Sequence, residues 1–158
     1  MKKIFILIIS VSFYVFASES KDLTPYNPIE IGIISFDGNK ENLFSIYMIN
    51  QEPVSGIQLD LDPQNFFIVE SVYGGSAEKN GFSLHHNKDG RILAFSMSGK
   101  TIPKAKSLNK EDNILFNVLF SYLPNASLSD TSITIIPIFS DDKANRMNYI
   151  SIPYQIGK

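Results

Sequence analysis

The chain contains no cysteine and no tryptophan, only two histidines, and little net charge. Without cysteine it forms no disulfide, carries out no thiol chemistry, builds no thiolate zinc site and takes no lipid on an N-terminal cysteine. Without tryptophan it lacks the broadest ring for a saccharide platform. Its 14 Lys and Arg residues against 16 Asp and Glu residues give a formal charge of -2, and the basic residues are scattered. A nucleic-acid binder would instead show a basic stripe or patch, so no nucleic-acid partner is expected. The close pair Lys104 and Lys106 reads as a solvated loop rather than a phosphate site. Helical periodicity, internal repeats and low-complexity tracts are missing as well.

The N-terminus has the three parts of an export signal. Lys2-Lys3 is a positive start, Ile4 to Phe16 is almost purely apolar, and Val15 and Ala17 put small residues at the -3 and -1 positions. The apolar run is shorter than the roughly 20 residues that span a bilayer. Residues 1–17 are therefore expected to be a signal peptide, with an uncleaved N-terminal anchor as the alternative. The mature protein is expected to be secreted or periplasmic, monomeric and free of the membrane. Residues 18–28, with Pro25 and Pro28, read as an extended leader, and 29–158 as one domain. At 44% hydrophobic residues, that length supports a packed core without cross-links.

Beyond the leader, short β-type runs succeed one another. Ile29 to Phe36 is rich in β-branched residues and stops at Asp37-Gly38. Phe44 to Ile49 ends at Asn50-Gln51-Glu52-Pro53. Val54-Ser55-Gly56-Ile57-Gln58-Leu59-Asp60-Leu61-Asp62-Pro63 alternates strictly and closes on an Asp-Pro corner, and Phe66 to Gly74 leads away from it. Gly81 to His86 and Arg91 to Met97 flank Asn87-Lys88-Asp89-Gly90, a hairpin signal in which glycine supplies the positive φ. Ile114 to Tyr122 is a continuous apolar strand, Lys110-Glu111-Asp112 a single helical turn, and Thr131 to Phe139 and Tyr149 to Ile156 complete the series. Pro137 and Pro153 favour edge or bent strands in those last two runs. The expected fold is all-β, a two-sheet antiparallel sandwich of jelly-roll type with eight to nine strands. A closed barrel is the alternative.

Period-2 alternation assigns faces. Ile57, Leu59 and Leu61 are expected in the core, with Gln58, Asp60 and Asp62 outward. Leu93, Phe95 and Met97 are expected to oppose an outward set of Ala94, Ser96 and Ser98. If these strands share a sheet, Gln58, Asp60, Ala94, Ser96 and Ser98 form one small, polar binding face.

Nothing in the chain reaches the grade of a catalytic site, a metal site or a cofactor motif. His85 and His86 are adjacent on a strand, point to opposite faces, and are expected to be one exposed and one partly packed. Asp60 with Asp62, and Asp141 with Asp142, are the paired acids that glycoside hydrolysis would use, but no aromatic platform accompanies them. Asp141-Asp142-Lys143-Ala144-Asn145 reads as a solvated turn, lacking the ligand spacing of a dedicated Ca²⁺ loop. Ser96 to Thr101 lacks the upstream glycine of a phosphate loop, and no Gly-x-Ser-x-Gly elbow occurs. Asn125-Ala126-Ser127 is a sequon only in a eukaryotic host. Tyr47, Tyr73, Tyr122, Tyr149 and Tyr154 leave open a tyrosine strip for sugar stacking.

The run Val54 to Pro63, with Phe66, Val69, Val72 and Gly74, resembles the cohesin domain, as do Arg91 to Gly99 and Ile114 to Phe120. The resemblance covers roughly Ile29 to Ile156. It implies a nine-stranded jelly-roll sandwich and, in the best-known members, a sheet face that grips a dockerin module on a polysaccharide-degrading enzyme. This chain carries neither a dockerin-like duplicated calcium loop nor a catalytic domain, and no anchor is expected after Lys158. A solitary, secreted, non-enzymatic binding protein is therefore expected, with a dockerin-like protein module or a polysaccharide as partner. The alternative is a stand-alone carbohydrate-binding module, and an acid-dependent glycosidase using Asp60 or Asp141 is a third reading.

Overall fold

The computed structural model describes residues 28–37, 42–64, 66–124 and 131–156. The expected signal segment, the leader before Pro28 and the Asn125 sequon lie outside these described residues. Within them run eleven strands: β1 (Ile29–Asp37), β2 (Leu43–Ile49), β3 (Gly56–Asp62), β4 (Phe67–Tyr73), β5 (Ser83–His86), β6 (Arg91–Phe95), β7 (Ile114–Tyr122), β8 (Ser132–Ser140), β9 (Arg146–Met147), β10 (Tyr149–Ile152) and β11 (Tyr154–Gln155). They form two sheets, ordered β10-β1-β2-β7-β4 and β11-β8-β3-β6-β5, with β9 pairing beside β8. The sandwich expectation holds. Among the described residues the ladder between β1 and β10 is parallel, and the other strand ladders are antiparallel.

Alternation places the core between the sheets. Ile57, Leu59 and Leu61 of β3 face inward, as do Ile133, Ile135 and Phe139 of β8, each 4% exposed or less. Phe44, Phe67 and Phe120 form a ring cluster with centroids 4.8 to 5.9 Å apart, and Phe66 meets Phe67 edge-on at 4.8 Å. Such pairs add about 0.5–1.5 kcal/mol each beyond area burial. This packing takes the place of cross-links in a chain without cysteine.

Prolines punctuate the sandwich where a missing N–H is tolerated. The run expected as one strand from Tyr149 to Ile156 divides at Pro153, where the chain passes from one sheet (β10) to the other (β11). Pro137 lies on β8, paired on one side with Leu59 of β3. On its other side β11 pairs as far as Ile133 and β9 begins at Phe139, so Pro137 falls in the gap between the two ladders. At the Asp62-Pro63 corner the peptide bond is cis.

The sequence carries little signal for the short helix α1 (Gly75–Lys79). Gly74 and Gly75, at φ +76° and +67°, turn the chain out of β4 into it. A Cβ on Gly75 would overlap the Leu115 carbonyl and lie 2.7 Å from the Phe116 nitrogen, so the helix rests directly on the backbone of β7. The expected helical turn after Lys110 is a 3₁₀ turn at Glu111–Asn113. The connection carrying it covers the outer face of β2, which is why Tyr47 is 1% exposed. The Tyr47 hydroxyl donates to Glu30 Oε1 at 2.8 Å, and Lys110 Nζ sits 4.8 Å above the ring and 3.5 Å from Glu30. Gly32 leaves room for that ring, since a Cβ there would meet Tyr47 Cε1 at 3.0 Å.

Candidate functional site

The outward surface of the β8-β3-β6-β5 sheet is set by register. Residues directly opposed on neighbouring strands share a face. Gln58 stands between Ile138 of β8 and Leu93 of β6, and Leu93 in turn opposes His85 of β5. Asp60 stands between Ile136 and Arg91, and Gly56 between Ser140 and Phe95. These rows place four large apolar side chains on the surface: Leu93 (38% exposed), Phe95 (37%), Ile136 (49%) and Ile138 (42%). Large apolar residues that remain exposed together on a sheet mark an interaction surface. The His85 ring stacks on Phe95, 5.3 Å between centroids and 14° between planes.

One ion pair lies within this apolar surface. Arg91 donates to both carboxylate oxygens of Asp60, Nε to Oδ1 at 2.7 Å and an Nη to Oδ2 at 3.1 Å. The hydrogen bond from the guanidinium and its charge attraction to Asp60 raise the Arg91 pKa above its ordinary value. The pair neutralises itself, so the face presents hydrophobic contact around a fixed, planar polar centre.

Of the five residues expected on the binding face, Gln58 and Asp60 lie there. Ala94 does not: it is 1% exposed, opposite Ile57 in the core row. The expected facing of β6 is inverted, with Ile92 and Ala94 inward and Leu93 and Phe95 outward. Size misleads here, because the register with β3 sets a small alanine beside Ile57 and leaves the larger residues outside. Ser96 and Ser98 are not on the strand, which ends at Phe95. Their hydroxyls lie 3.1 Å apart in the turn after it, and Ser96 Oγ accepts from Lys100 N at 3.2 Å. The face is thus apolar around one ion pair, not small and polar. Ile136 and Ile138 carried a readable signal, falling in phase with Thr134 and Ser140 on the exposed side of β8.

The other candidate sites disperse. Asp141 closes its own turn, accepting from Lys143 N at 2.9 Å, Asn145 N at 2.7 Å and Asn145 Nδ2 at 2.9 Å. The side-chain hydrogen bond from Asn145 and these backbone donors hold its carboxyl below the ordinary value. His85 and His86 both lie in exposed positions, and the His85 ring packs one side against Phe95. Among the described residues no three His, Cys, Asp or Glu side chains converge as a metal site would require. Tyr47 is buried, Tyr122, Tyr149 and Tyr154 pack against the core, and Tyr73 is exposed on the opposite sheet, so they form no shared strip.

No protein-family model matches the chain, and no curated protein matches it. Solved structures do. The sixth cohesin of scaffoldin B from Acetivibrio cellulolyticus, solved in complex with a mutant dockerin, shares 14% identity at a TM-score of 0.51 and covers 82% of this chain and 99% of its own. A cohesin in the CaDoc0917–CaCohA2 complex shares 15% identity at 0.53, with 82% and 99% coverage. A non-cellulosomal cohesin from the hyperthermophilic archaeon Archaeoglobus fulgidus shares 18% at 0.53, with 83% and 92% coverage. With its two sheets and these neighbours, the chain is a cohesin-like domain in fold.

Proposed function

We propose that this is an exported, non-catalytic binding domain that holds a protein module of the dockerin kind on the outward face of the β8-β3-β6-β5 sheet. The observation that carries the reading is the group Leu93, Phe95, Ile136 and Ile138, exposed around the Asp60–Arg91 pair. Two of the similar structures are of cohesins in complex with dockerins, which favours a protein partner of that class here. The cores of protein interfaces are built in this way, with apolar and aromatic residues and arginine at the centre and few uncompensated charges. A polysaccharide is the second ligand class for this face, favoured by the exposed Phe95 ring with His85 stacked on it. Export rests on the Lys2 to Ala17 pattern of the sequence.

The test is capture of exported proteins and dockerin modules on immobilised wild-type chain, beside a Leu93→Asp/Ile138→Asp variant shown to be folded by circular dichroism. Partners held by the wild type and lost by the variant support the reading. Partners held equally by both place binding elsewhere. Retardation in a polysaccharide gel without any protein partner selects the glycan instead.

A further inference from the structure

Away from that face, a cavity of about 450 Å³ opens between α1, the end of β2 and the connection after Ile102. Its floor is apolar, with Met48 and Ile102 each 3% exposed. Three lysines line it, Lys79 from α1 and Lys104 and Lys106 from the connection, against the single acid Asp112. Three positive charges and one negative leave a local charge of +2 on a chain whose total is -2. Among the described residues none of the three ammonium groups has an ion-pair partner; the neighbouring Lys110 is engaged by Glu30 and Tyr47.

The walls are built before any ligand arrives. Buried Asn50 donates from Nδ2 to the carbonyls of Glu52 at 2.8 Å and Pro103 at 3.0 Å, while its backbone carbonyl accepts from Ala105 N at 2.9 Å. Asn113 Nδ2 ties down Ser107 and Asn109 in the same way, and Asn80 Nδ2 binds the Ser76 carbonyl. These amides fix the loops, and the lysines remain as uncompensated donors around the opening.

We infer that this cavity binds a small organic carboxylate of sugar-acid size. The volume lies within the roughly 300–1,000 Å³ of small-molecule sites, well beyond what an inorganic oxyanion fills. Lysine meets a carboxylate as a point charge with three rotatable donors, which suits an opening lined from two different elements. No aromatic residue lines the cavity, so a neutral sugar would find neither a stacking platform nor a charge partner. The pair Lys104 and Lys106, which in sequence reads as a solvated loop, acquires a ligand role only when folding brings Lys79 beside it.

The test is a titration of the ¹⁵N-labelled full chain, in separate arms, with galacturonate, galactose and sulfate, monitored by amide chemical shifts. Galacturonate is expected to give saturable shifts at Ser76 to Asn80 and Ile102 to Ser107, diminished by added salt. Replacing Lys104→Ala and Lys106→Ala together is expected to weaken it about tenfold, the loss of two exposed charge contacts. These side chains are exposed, so the variant keeps its fold, and unchanged shifts elsewhere confirm it. The inference is overturned by shifts that never saturate, by galactose or sulfate matching galacturonate, or by a double variant that binds as well as wild type.

Discussion

Ala94→Asp and Ser96→Asp form a matched pair, because simple alternation gives both residues the same outward facing while the structure separates them. Ala94 is 1% exposed and opposite Ile57. A carboxylate placed there loses its hydration and must accept a proton to remain inside. Raising its pKa by about three units, ordinary for a buried acid, costs about 4 kcal/mol at neutral pH. The added atoms overpack the row for a further ~1–3 kcal/mol. That total rivals the ~5–15 kcal/mol by which a domain is stable, so Ala94→Asp is expected to be unfolded or nearly so at pH 7. Ser96 lies in the turn, where an aspartate oxygen can accept the Lys100 N–H as the serine does, and the expected change is within about 0.5 kcal/mol. Urea unfolding monitored by far-ultraviolet circular dichroism measures both. Near pH 4 the ionisation part of the Ala94→Asp penalty shrinks and the variant should regain folded signal. An Ala94→Asp variant within about 1 kcal/mol of wild type at pH 7 would refute the inward facing of Ala94 and the register behind it.

The same geometry leads to three further outcomes. Gly75→Ala forces a side chain into left-handed backbone at φ +67° and against the Leu115 carbonyl, so it is expected to cost about 3 kcal/mol, read as a lower urea midpoint. Burial and the hydrogen bond to Glu30 hold Tyr47 above its ordinary pKa of 10.0, and the hydrogen bond with Tyr47 raises Lys110 above 10.5. The folded chain then keeps protons that the unfolded chain releases, so stability present below about pH 10 falls as pH rises further; Tyr47→Phe should flatten that fall, and an unchanged slope would remove Tyr47 as its source. Asp60→Ala breaks an ion pair whose side chains are 17% and 50% exposed, and the expected stability loss is at most about 1 kcal/mol by urea midpoint.

The sandwich was legible because most of the longer strands carry a β-type apolar run and a turn signal that stops it. The Asp60 to Pro63 corner, the Asn87 to Gly90 turn and the apolar β7 all lie where the residues indicate. The proposed binding face was half legible. On β3, polar Gln58 and Asp60 alternate with large aliphatic residues, and hydrophobicity alone reveals the facing. On β6 both phases contain apolar residues, so only the ladder with β3 decides that Ala94 is buried and Phe95 exposed. The exposed isoleucines of β8 join the face through a pairing between positions far apart in sequence, Gln58 with Ile138. No local pattern reports such a contact. The lysine-lined cavity is similarly non-local, since Lys79 and Lys104 come to line one opening only through the packing of α1 and the long connection around the end of β2.

The β8-β3-β6-β5 surface is the proposed binding face. Hydrogen exchange of the chain, free and with a captured protein partner, maps that surface directly. Slowed exchange on β3, β6 and β8, abolished by Leu93→Asp/Ile138→Asp, is the expected result. Protection confined to the opposite sheet, around Tyr73 and Leu119, would contradict it.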